Sequence, residues 1–318
     1  MGCSGSPGRS SYTLTVLPVI AIVGPTASGK SRLAMALADA IDAELVNADA
    51  LQVYRGLDLG TAKPSAADRA AVPHHLIDVM DPGERYSAGR FAAEARAILE
   101  AIQSRGRRPI LVGGSGLYLR ALLDGIGEIP EVEAAVASEL DERLARDGLP
   151  ALRADLERLD PVTAERLAPG DTQRTLRALG VVLSSGRPLA DWIAQRPFGE
   201  TEIEAVRVGL TLDRALLYDR IARRVDEMLA AGWLREIRSL LDSGLDPSLP
   251  AFQAIGYRQL ASHLRGECTL EEAVESTVRA TRRYARRQLT WFRRDPRIRW
   301  FEATDPELFD QVRGVVDR

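Results

Sequence analysis

Short apolar runs, each bounded by glycine, proline or charged residues, recur along the chain and predict buried β-strands. They cover Leu17–Val23, Ala43–Asn47, Pro109–Val112 and Val206–Leu212, with a shorter strand-like run at His74–Val79. Helical apolar spacing lies between two of these runs at Phe91–Ile102, and long helices are predicted from Arg214 to the end. Strands that alternate with helices are typical of an α/β fold with a parallel sheet flanked by helices.

The pattern changes between residues 129 and 200, where the sequence is charge-mixed and lacks strand character. Helical spacing recurs there at Glu133–Leu144, Leu149–Leu159, Pro161–Leu167 and Gln173–Ser184. We interpret residues 129–200 as an all-helical lobe inserted into a core formed by residues 17–128 and 201–318. Residues 1–16 are rich in glycine and serine, a composition typical of a disordered segment.

A glycine-rich turn follows the first predicted strand directly and leads into helical sequence. It matches the phosphate-binding pattern G-x-x-x-x-G-K-[ST] at every specified position, and its residues are Gly24, Pro25, Thr26, Ala27, Ser28, Gly29, Lys30 and Ser31. In such a P-loop the glycines permit the turn, the lysine neutralises phosphate, and the serine hydroxyl can ligate Mg²⁺. We therefore predict a P-loop NTPase-like fold, with Ser31 as a ligand of bound Mg²⁺.

Asp49 follows the second predicted strand and so lies at the carboxyl edge of the sheet. Open α/β sheets bind their ligands at this edge. Position alone leaves two interpretations open. The carboxylate either faces the same crevice as the P-loop or caps the helix that follows.

The predicted strand at Pro109–Val112 ends in Gly113, Gly114 and Ser115, with no acidic residue. NTPases of the motor and switch type place an aspartate there to organise Mg²⁺ and the attacking water. Its absence favours an enzyme that transfers a group to a second substrate. We expect the glycine pair to let that substrate approach the backbone closely.

Composition narrows the remaining classes. A net charge of −3 over 318 residues excludes a generic polycation, so a nucleic-acid surface must be local. Two cysteines exclude a disulfide framework, and His74 and His75 have no third ligand at zinc spacing, which favours a structural role. The apolar run before the P-loop is too short to cross a membrane. These features predict a cytoplasmic protein.

Two groups of basic residues are candidates for binding anions. Arg220 and Arg224 lie four residues apart on one helix face, where they either clamp a diphosphate or form an ordinary solvated face. From Arg279 to Arg299, nine arginines accompany a single acid, Asp295, with aromatic residues between them. This composition indicates an RNA-binding surface, while a helix neutralised by internal ion pairs would have a similar composition.

Eight blocks of sequence occur in a fixed order between Val19 and Arg294. They are Gly24–Ser31, Asn47–Tyr54, Asp58–Pro64, His74–Asp78, Gly113–Tyr118, Arg174–Leu179, Ala254–Tyr257 and Arg286–Arg293. In residue type and order they resemble the blocks of one family, the tRNA dimethylallyltransferases, also called tRNA isopentenyltransferases.

The resemblance implies transfer of a dimethylallyl group from dimethylallyl diphosphate to N6 of adenosine 37, beside the tRNA anticodon, with release of diphosphate. It assigns proton acceptance to Asp49, a hydroxyl near the reacting groups to Ser115, and leaving-group stabilisation to Lys30 and Mg²⁺. The adenine must leave its stack to reach them. The implied tRNA contacts are Asp49, Ala50, Leu51, Gln52, Gln173, Arg174, Thr175, Leu176 and Arg177, and the basic helix adds Arg286 and Arg287.

Four positions depart from the family's usual pattern. Ala50 stands where serine is common, Ser115 where threonine is frequent, Glu133 where a basic residue often lies, and Gly180 where glutamate is usual. None of them removes a group that the implied reaction needs. An acid at position 133, however, would repel RNA phosphate.

Other functional classes stay open. A kinase for a small molecule or nucleotide would use Asp49 as its base and Arg220 and Arg224 as a lid clamp, but it leaves the basic helix unexplained. A non-catalytic RNA-binding module leaves the P-loop unexplained. Within the prenyltransferase class, free adenine nucleotides are a further acceptor. We expect a monomer, because small P-loop transferases readily act as single chains.

Overall fold

Six parallel strands form one sheet in the computed structural model, which describes residues 18–125, 129–195, 203–246, 249 and 251–318. The strands are β1 Val19–Val23, β2 Ala43–Asn47, β3 His74–His75, β4 Arg108–Val112, β5 Ala205–Thr211 and β6 Arg299–Glu302. Their order across the sheet is β3-β2-β4-β1-β5-β6. The predicted α/β fold with a parallel sheet is therefore confirmed. The segment 1–16, predicted to be disordered, lies outside the described residues.

Helices connect the strands and follow the last of them. Those among the described residues are α1 Lys30–Ile41, α2 Ala66–Ala71, α3 Ala88–Ser104, α4 Gly116–Leu123, α5 Ala134–Leu159, α6 Pro161–Arg166, α7 Thr172–Ser185, α8 Leu189–Gln195, α9 Arg214–Ala230, α10 Trp233–Asp242, α11 Tyr257–Leu264, α12 Leu270–Phe292 and α13 Leu308–Val316. Helical connections between parallel strands place helices against the faces of the sheet.

Two elements differ from the sequence prediction. The strand predicted at His74–Val79 has only two residues, because Leu76 and Asp78 adopt left-handed backbone angles of +60° and +57°, which end the extended run. The C-terminal segment is not helical throughout. Asp295 closes a turn by accepting the N–H of Arg297 at 3.0 Å, and the chain then adds β6 alongside β5.

The chain forms two compact units. Unit 1 contains residues 1–85, 95–115 and 204–318, and unit 2 contains residues 86–94 and 116–203. The core of unit 1 packs Ile20 and Ile22 of β1 and Val208 of β5 against Leu33 and Leu37 of α1, all of them buried. Burial of each such side chain contributes about 1.5–3 kcal/mol, which fixes the sheet beneath its carboxyl-edge loops.

Unit 2 has a separate apolar core built by α5, α6 and α7. Leu140, Leu152 and Leu156 of α5 pack against Leu179 of α7. Gly148 breaks α5 with a left-handed φ of +76°, so the two predicted helical stretches on either side of it form a kinked pair. In the part of the chain that the structure describes, no helix is both long and apolar enough to cross a membrane.

Candidate active site

The P-loop joins β1 to α1 through a turn that needs glycine at two positions. Gly24 has a φ of +143°, and a Cβ there would lie 2.7 Å from the carbonyl oxygen of Leu210 on β5. Gly29 has a φ of +97° immediately before the helix. Both conformations are rare for residues with a side chain, so the two glycines of the sequence pattern are needed for the backbone to adopt this turn.

The N-terminus of α1 is left open for an anion. No side chain caps the helix, and its first turn contains no acidic residue. By contrast, α2, α7, α9 and α12 each begin with a side-chain cap. Unsatisfied N–H groups and the positive end of the helix dipole form a phosphate-binding site in this setting.

Lys30 reaches back across the turn, and its Nζ donates a 2.7 Å hydrogen bond to the carbonyl of Pro25. Burial is the main reason that the pKa of its ammonium falls to about 8; the negative charge of Asp49 opposes this shift, and the positive charge of Arg224 contributes to it. A cation held partly out of water gains strongly from a bound anion. Lys30 is therefore placed to bind a phosphate group of a ligand.

We expect diphosphate to bind the free protein more weakly as the pH rises above about 8. The affinity should fall rather than rise because the pKa of Lys30 is lowered: the ammonium is charged below about pH 8 and loses its proton above it. Affinity should fall by up to about tenfold per pH unit once the neutral amine dominates. Calorimetric titration with diphosphate between about pH 7 and about pH 9.5 measures the effect.

The control for this titration is Lys30→Arg, whose guanidinium stays charged throughout the range. Any pH dependence that the variant retains belongs to diphosphate itself or to other groups. Equal pH dependence in the variant and the wild type would contradict the assignment to Lys30.

Asp49 begins the loop after β2 and is held by its neighbours. Its N–H donates to Asn47 Oδ1 at 3.0 Å, and its Oδ1 accepts the N–H of Leu51 at 2.9 Å. Burial raises the pKa of this carboxyl, and the charges of Lys30 and Arg224 partly offset the rise. Of the two interpretations left open by the sequence, Asp49 closes a turn but caps no helix, since the next helix starts at Ala66. Its carboxylate instead shares electrostatic surroundings with the P-loop lysine.

The glycine pair after β4 does not leave room for a substrate, which corrects the expectation from sequence. A Cβ at Gly113 would lie 2.1 Å from the backbone oxygen of Ala48, and one at Gly114 would lie 2.0 Å from Nε2 of Gln288. Protein groups therefore occupy the space that the missing side chains leave. Ser115 follows, and its Oγ accepts the N–H of Ala50 at 3.0 Å, which joins the loops after β2 and β4.

Helix α12 contributes two further residues to the site, Gln288 and Tyr284, although the sequence predicted only an RNA-binding surface for their region. Gln288 accepts the N–H of Thr26 at 2.8 Å and donates to the carbonyl of Gly114 at 3.0 Å. Burial together with the charge of Asp49 raises the pKa of the Tyr284 phenol, and the nearby polar side chains of Ser115 and Gln288 partly offset the rise. The sequence signal for both residues was their position inside the basic Arg279–Arg299 segment.

Helix α9 brings Arg224 to the same region. Burial lowers the pKa of its guanidinium, and Asp49 is its strongest charged neighbour. Arg220 is half-buried one turn earlier, whereas Arg223 turns outward and pairs with Asp219 at 2.8 Å. Of the two interpretations of this basic helix face, the solvated surface fits Arg223, whereas Arg224 is partly buried near Asp49.

A cavity of about 70 Å³ adjoins the P-loop at Thr26 and Ala27. Its remaining lining mixes apolar and polar side chains and comprises Gly60, Thr61, Ile221, Arg224, Val225, Met228, Trp233, Ile255, Thr277 and Thr281. A cavity that places a guanidinium and threonine hydroxyls beside apolar side chains such as Ile221 and Val225 suits a ligand that has an anionic end and a hydrocarbon tail.

Internal bonds hold the loop that carries Gln52. Gln52 Nε2 donates to the carbonyls of Thr61 at 3.0 Å and Ala62 at 3.2 Å, which leaves its Oε1 as the free acceptor within the described structure. Ala50 and Leu51 are half-buried beside it. Lys63, whose side chain is 2% exposed, anchors the far end of the loop by pairing with Asp58 at 2.7 Å and with Asp78.

The outer face of α12 is basic. Within the described residues, its exposed arginines without an ion-pair partner are Arg283, Arg286 and Arg287, and Arg293 and Arg294 continue the face beyond the helix end. Arg279 pairs with Glu275 at 2.9 Å and Arg297 with Asp295 at 2.8 Å. Internal ion pairs therefore neutralise only part of the arginine cluster.

The predicted RNA contacts in unit 2 lie at the start of α7, and their side chains differ in exposure. Gln173, Arg174 and Arg177 are exposed, but Thr175 is buried and Leu176 packs against the apolar core. Of the five residues predicted to contact tRNA in this segment, only Gln173, Arg174 and Arg177 have side chains exposed for such a contact.

The structure describes no group of three or more histidine, cysteine or acidic side chains that could hold a metal by itself. The ring Nδ1 of His74 lies 2.7 Å from the carbonyl of Val72, and Nε2 of His75 lies 2.6 Å from buried Glu44. Ser31 exposes an unpartnered hydroxyl on the first turn of α1. One hydroxyl fits Mg²⁺ only where phosphate oxygens and water supply the other ligands.

Comparison with known proteins identifies the family. A family model described as IPP transferase matches residues 52–295, and one described as isopentenyl transferase matches residues 17–81. A tRNA dimethylallyltransferase of Syntrophobacter fumaroxidans is 48% identical over 298 residues, covering 94% of this chain and 87% of that protein.

Solved structures agree with the sequence relatives. The tRNA isopentenylpyrophosphate transferase of Bacillus halodurans has 38% identity and a TM-score of 0.67, covering 94% of this chain and 97% of that chain. A eukaryotic dimethylallyltransferase, described as acting on tRNA, has 28% identity and a TM-score of 0.79. The match covers 94% of this chain and 78% of that chain. The chain therefore belongs to the tRNA dimethylallyltransferase family.

Proposed function

We propose that this protein transfers the dimethylallyl group of dimethylallyl diphosphate to N6 of adenosine 37, beside the anticodon of tRNA. The observation that carries the proposal is the position of Lys30 in the P-loop after β1 and of Asp49 after β2, at the same carboxyl edge of the parallel sheet, where the charge of each residue acts on the other. A phosphate-binding cation and a base lie together at the carboxyl edge of the sheet. No acid follows β4, so the arrangement suits transfer to a second substrate rather than ATP hydrolysis.

On the donor side, the diphosphate accepts hydrogen bonds from the uncapped N–H groups of α1. Lys30 and Arg224, with Arg220 one turn away, stabilise the negative charge that develops on the leaving oxygen as the C–O bond breaks. Mg²⁺ held by the diphosphate and Ser31 would add Lewis-acid neutralisation of the same charge. The apolar wall of the cavity near Val225 accommodates the hydrocarbon tail.

On the acceptor side, the N6 lone pair attacks the allylic carbon as diphosphate departs, and the nitrogen gives up one proton. Asp49 accepts that proton, and its raised pKa makes it a stronger base than an exposed aspartate. Ser115 is bound to the N–H of Ala50 and so fixes the backbone on one side of Asp49. The side chains of Ser115 and Tyr284 border the position of the adenine.

An adenine in the anticodon loop reaches Asp49 only after leaving its stack. The free acceptor of Gln52 is placed to meet a base edge, while Arg286 and Arg287 meet phosphates. Gln173, Arg174 and Arg177 supply a second RNA contact from the inserted lobe.

The test is incubation of the protein with Mg²⁺, radiolabelled dimethylallyl diphosphate and unmodified tRNA that carries adenosine at position 37. Label in tRNA supports the proposal, and a tRNA with guanosine at that position should stay unlabelled. Label in free AMP would move the acceptor to nucleotides. ATP consumption without prenyl transfer would favour a P-loop kinase.

A further inference from the structure

Gln288 lies on the buried face of α12 and is only 5% exposed. Its Oε1 accepts a 2.8 Å hydrogen bond from the N–H of Thr26, in the middle of the P-loop. Its Nε2 donates to the carbonyl of Gly114 at 3.0 Å. One side chain therefore joins the turn after β1 to the turn after β4.

The fit around this amide leaves no space. A Cβ at Gly114 would lie 2.0 Å from Nε2, so any side chain at that position would displace the amide. The amide at 288 and the missing side chain at 114 are thus two parts of one contact. Loss of the amide would leave the N–H of Thr26 without this partner, and an unpaired buried donor is costly.

The same series of contacts continues to Asp49. Ser115 directly follows Gly114, and its Oγ accepts the N–H of Ala50 at 3.0 Å. Its own N–H donates to the carbonyl of Ala48 at 3.2 Å. Asp49 therefore lies between Ala48 and Ala50, the two residues whose backbone groups form hydrogen bonds with Ser115. Hydrogen bonds therefore link the P-loop, through Gln288 and the turn after β4, to the backbone on both sides of Asp49.

We propose that Gln288 is a positioning residue that sets the separation between the P-loop and Asp49, and so between the prenyl donor and the acceptor nitrogen. The inference rests on the proposed function, because that separation matters only if a group crosses it. The N–H of Thr26 points to Gln288 and is not available to phosphate, so Gln288 acts on the turn rather than on the donor. A misplacement of about 1 Å between reacting groups can cost about a hundredfold in rate.

The primary variant is Gln288→Met, which keeps the length of the side chain and removes both hydrogen bonds. With dimethylallyl diphosphate and tRNA, we expect kcat to fall by about tenfold to thirtyfold, while both KM values stay within about threefold of the wild type. This split is expected because each substrate keeps its own binding groups and only their relative placement changes.

The matched control is Gln259→Met on α11. Gln259 is also buried, and its Oε1 accepts the N–H of Gly256 at 2.8 Å. Gln288→Met removes two buried hydrogen bonds and Gln259→Met removes one, so both variants should lower Tm. Only Gln288→Met should lower kcat once the folded fraction is equal.

Gln288→Glu gives a second readout. A protonated carboxyl can accept from Thr26 through one oxygen and donate to Gly114 through the other, as the amide does, but an ionised carboxylate cannot donate. The ratio of its kcat to that of Gln288→Met should therefore rise as the pH falls from about 8.5 to about 6, since burial raises a carboxyl pKa. Lys30, Asp49, Arg224 and Tyr284, the other titratable groups of the site, are present in both variants, so the ratio removes the part of the pH dependence that is common to both.

The outcomes separate the two proposals. If the wild type transfers no prenyl group to tRNA, the proposed function fails before Gln288 is tested. If the wild type is active and Gln288→Met matches Gln259→Met in kcat, the positioning role is overturned. A fall confined to the KM for dimethylallyl diphosphate would also overturn it, because that result would make Gln288 a donor-binding residue.

Discussion

Replacing Asp49 with alanine is expected to lower turnover by about 10²–10⁴-fold, the range for loss of a general base, while tRNA affinity stays within about tenfold. The reason is that the carboxylate accepts a proton only as the N6–carbon bond forms. Single-turnover transfer with saturating protein measures the chemical step, and filter binding of tRNA measures affinity separately. Asp49→Asn should lose a similar factor while keeping an oxygen for the N–H of Leu51.

The control for Asp49 is Asp81→Asn, which removes a carboxylate from an exposed ion pair with Arg55. It should leave turnover unchanged. The pH profile gives a further check, because burial raises the pKa of Asp49, so the wild-type rate should fall as the pH drops through that pKa. Loss of tRNA binding with normal turnover at saturation would refute the assignment of Asp49 as the base.

The parts of the site that the sequence predicts are those set by local pattern. The P-loop follows from eight consecutive residues between a strand and a helix, and its two glycines match backbone angles that the fold requires. Asp49 follows from its position directly after a buried strand. Each inference needs only neighbouring residues, because parallel strands place their carboxyl ends at one edge.

The parts that the sequence misses depend on contacts between distant residues. Gln288 bonds Thr26 across 262 positions, and no local pattern reports such a pair. The same limit explains the error at Gly113, where the absent side chain makes room for the backbone of Ala48 and not for a substrate. Strand β6 was missed because its four residues pair with β5, whose partner residues lie 91 positions earlier in the chain (299 − 208).

One departure from the family pattern has a structural explanation within unit 2. Glutamate is usual at position 180, but a Cβ at Gly180 would lie 2.7 Å from both Cγ atoms of Val132. Val132 thus occupies the space beside α7 that a side chain at 180 would need. Glu133, which directly follows Val132, is another departure from the family pattern. Its side chain does not cap α5, and its N–H donates to Ser184 Oγ at 3.0 Å.

Reversing the charges of Arg286 and Arg287 to glutamate should weaken tRNA binding by about a hundredfold at low salt, or about tenfold for each reversed contact. Both side chains are exposed on α12 and have no ion-pair partner among the described residues, so their charges are available to RNA phosphate. Loss of two phosphate contacts should also reduce the slope of log affinity against log salt by about 1.4–1.8. Filter binding over a salt series measures both effects.

The control is Arg235→Glu combined with Arg238→Glu on α10, two exposed arginines whose reversal changes the net charge by the same amount. A general repulsion between a more acidic protein and RNA would weaken binding equally in both double variants. A local surface on α12 instead predicts a large effect only for Arg286 and Arg287, and no effect of either pair on the single-turnover rate at saturating tRNA. An unchanged salt slope in the α12 variant would place the RNA surface elsewhere on the chain.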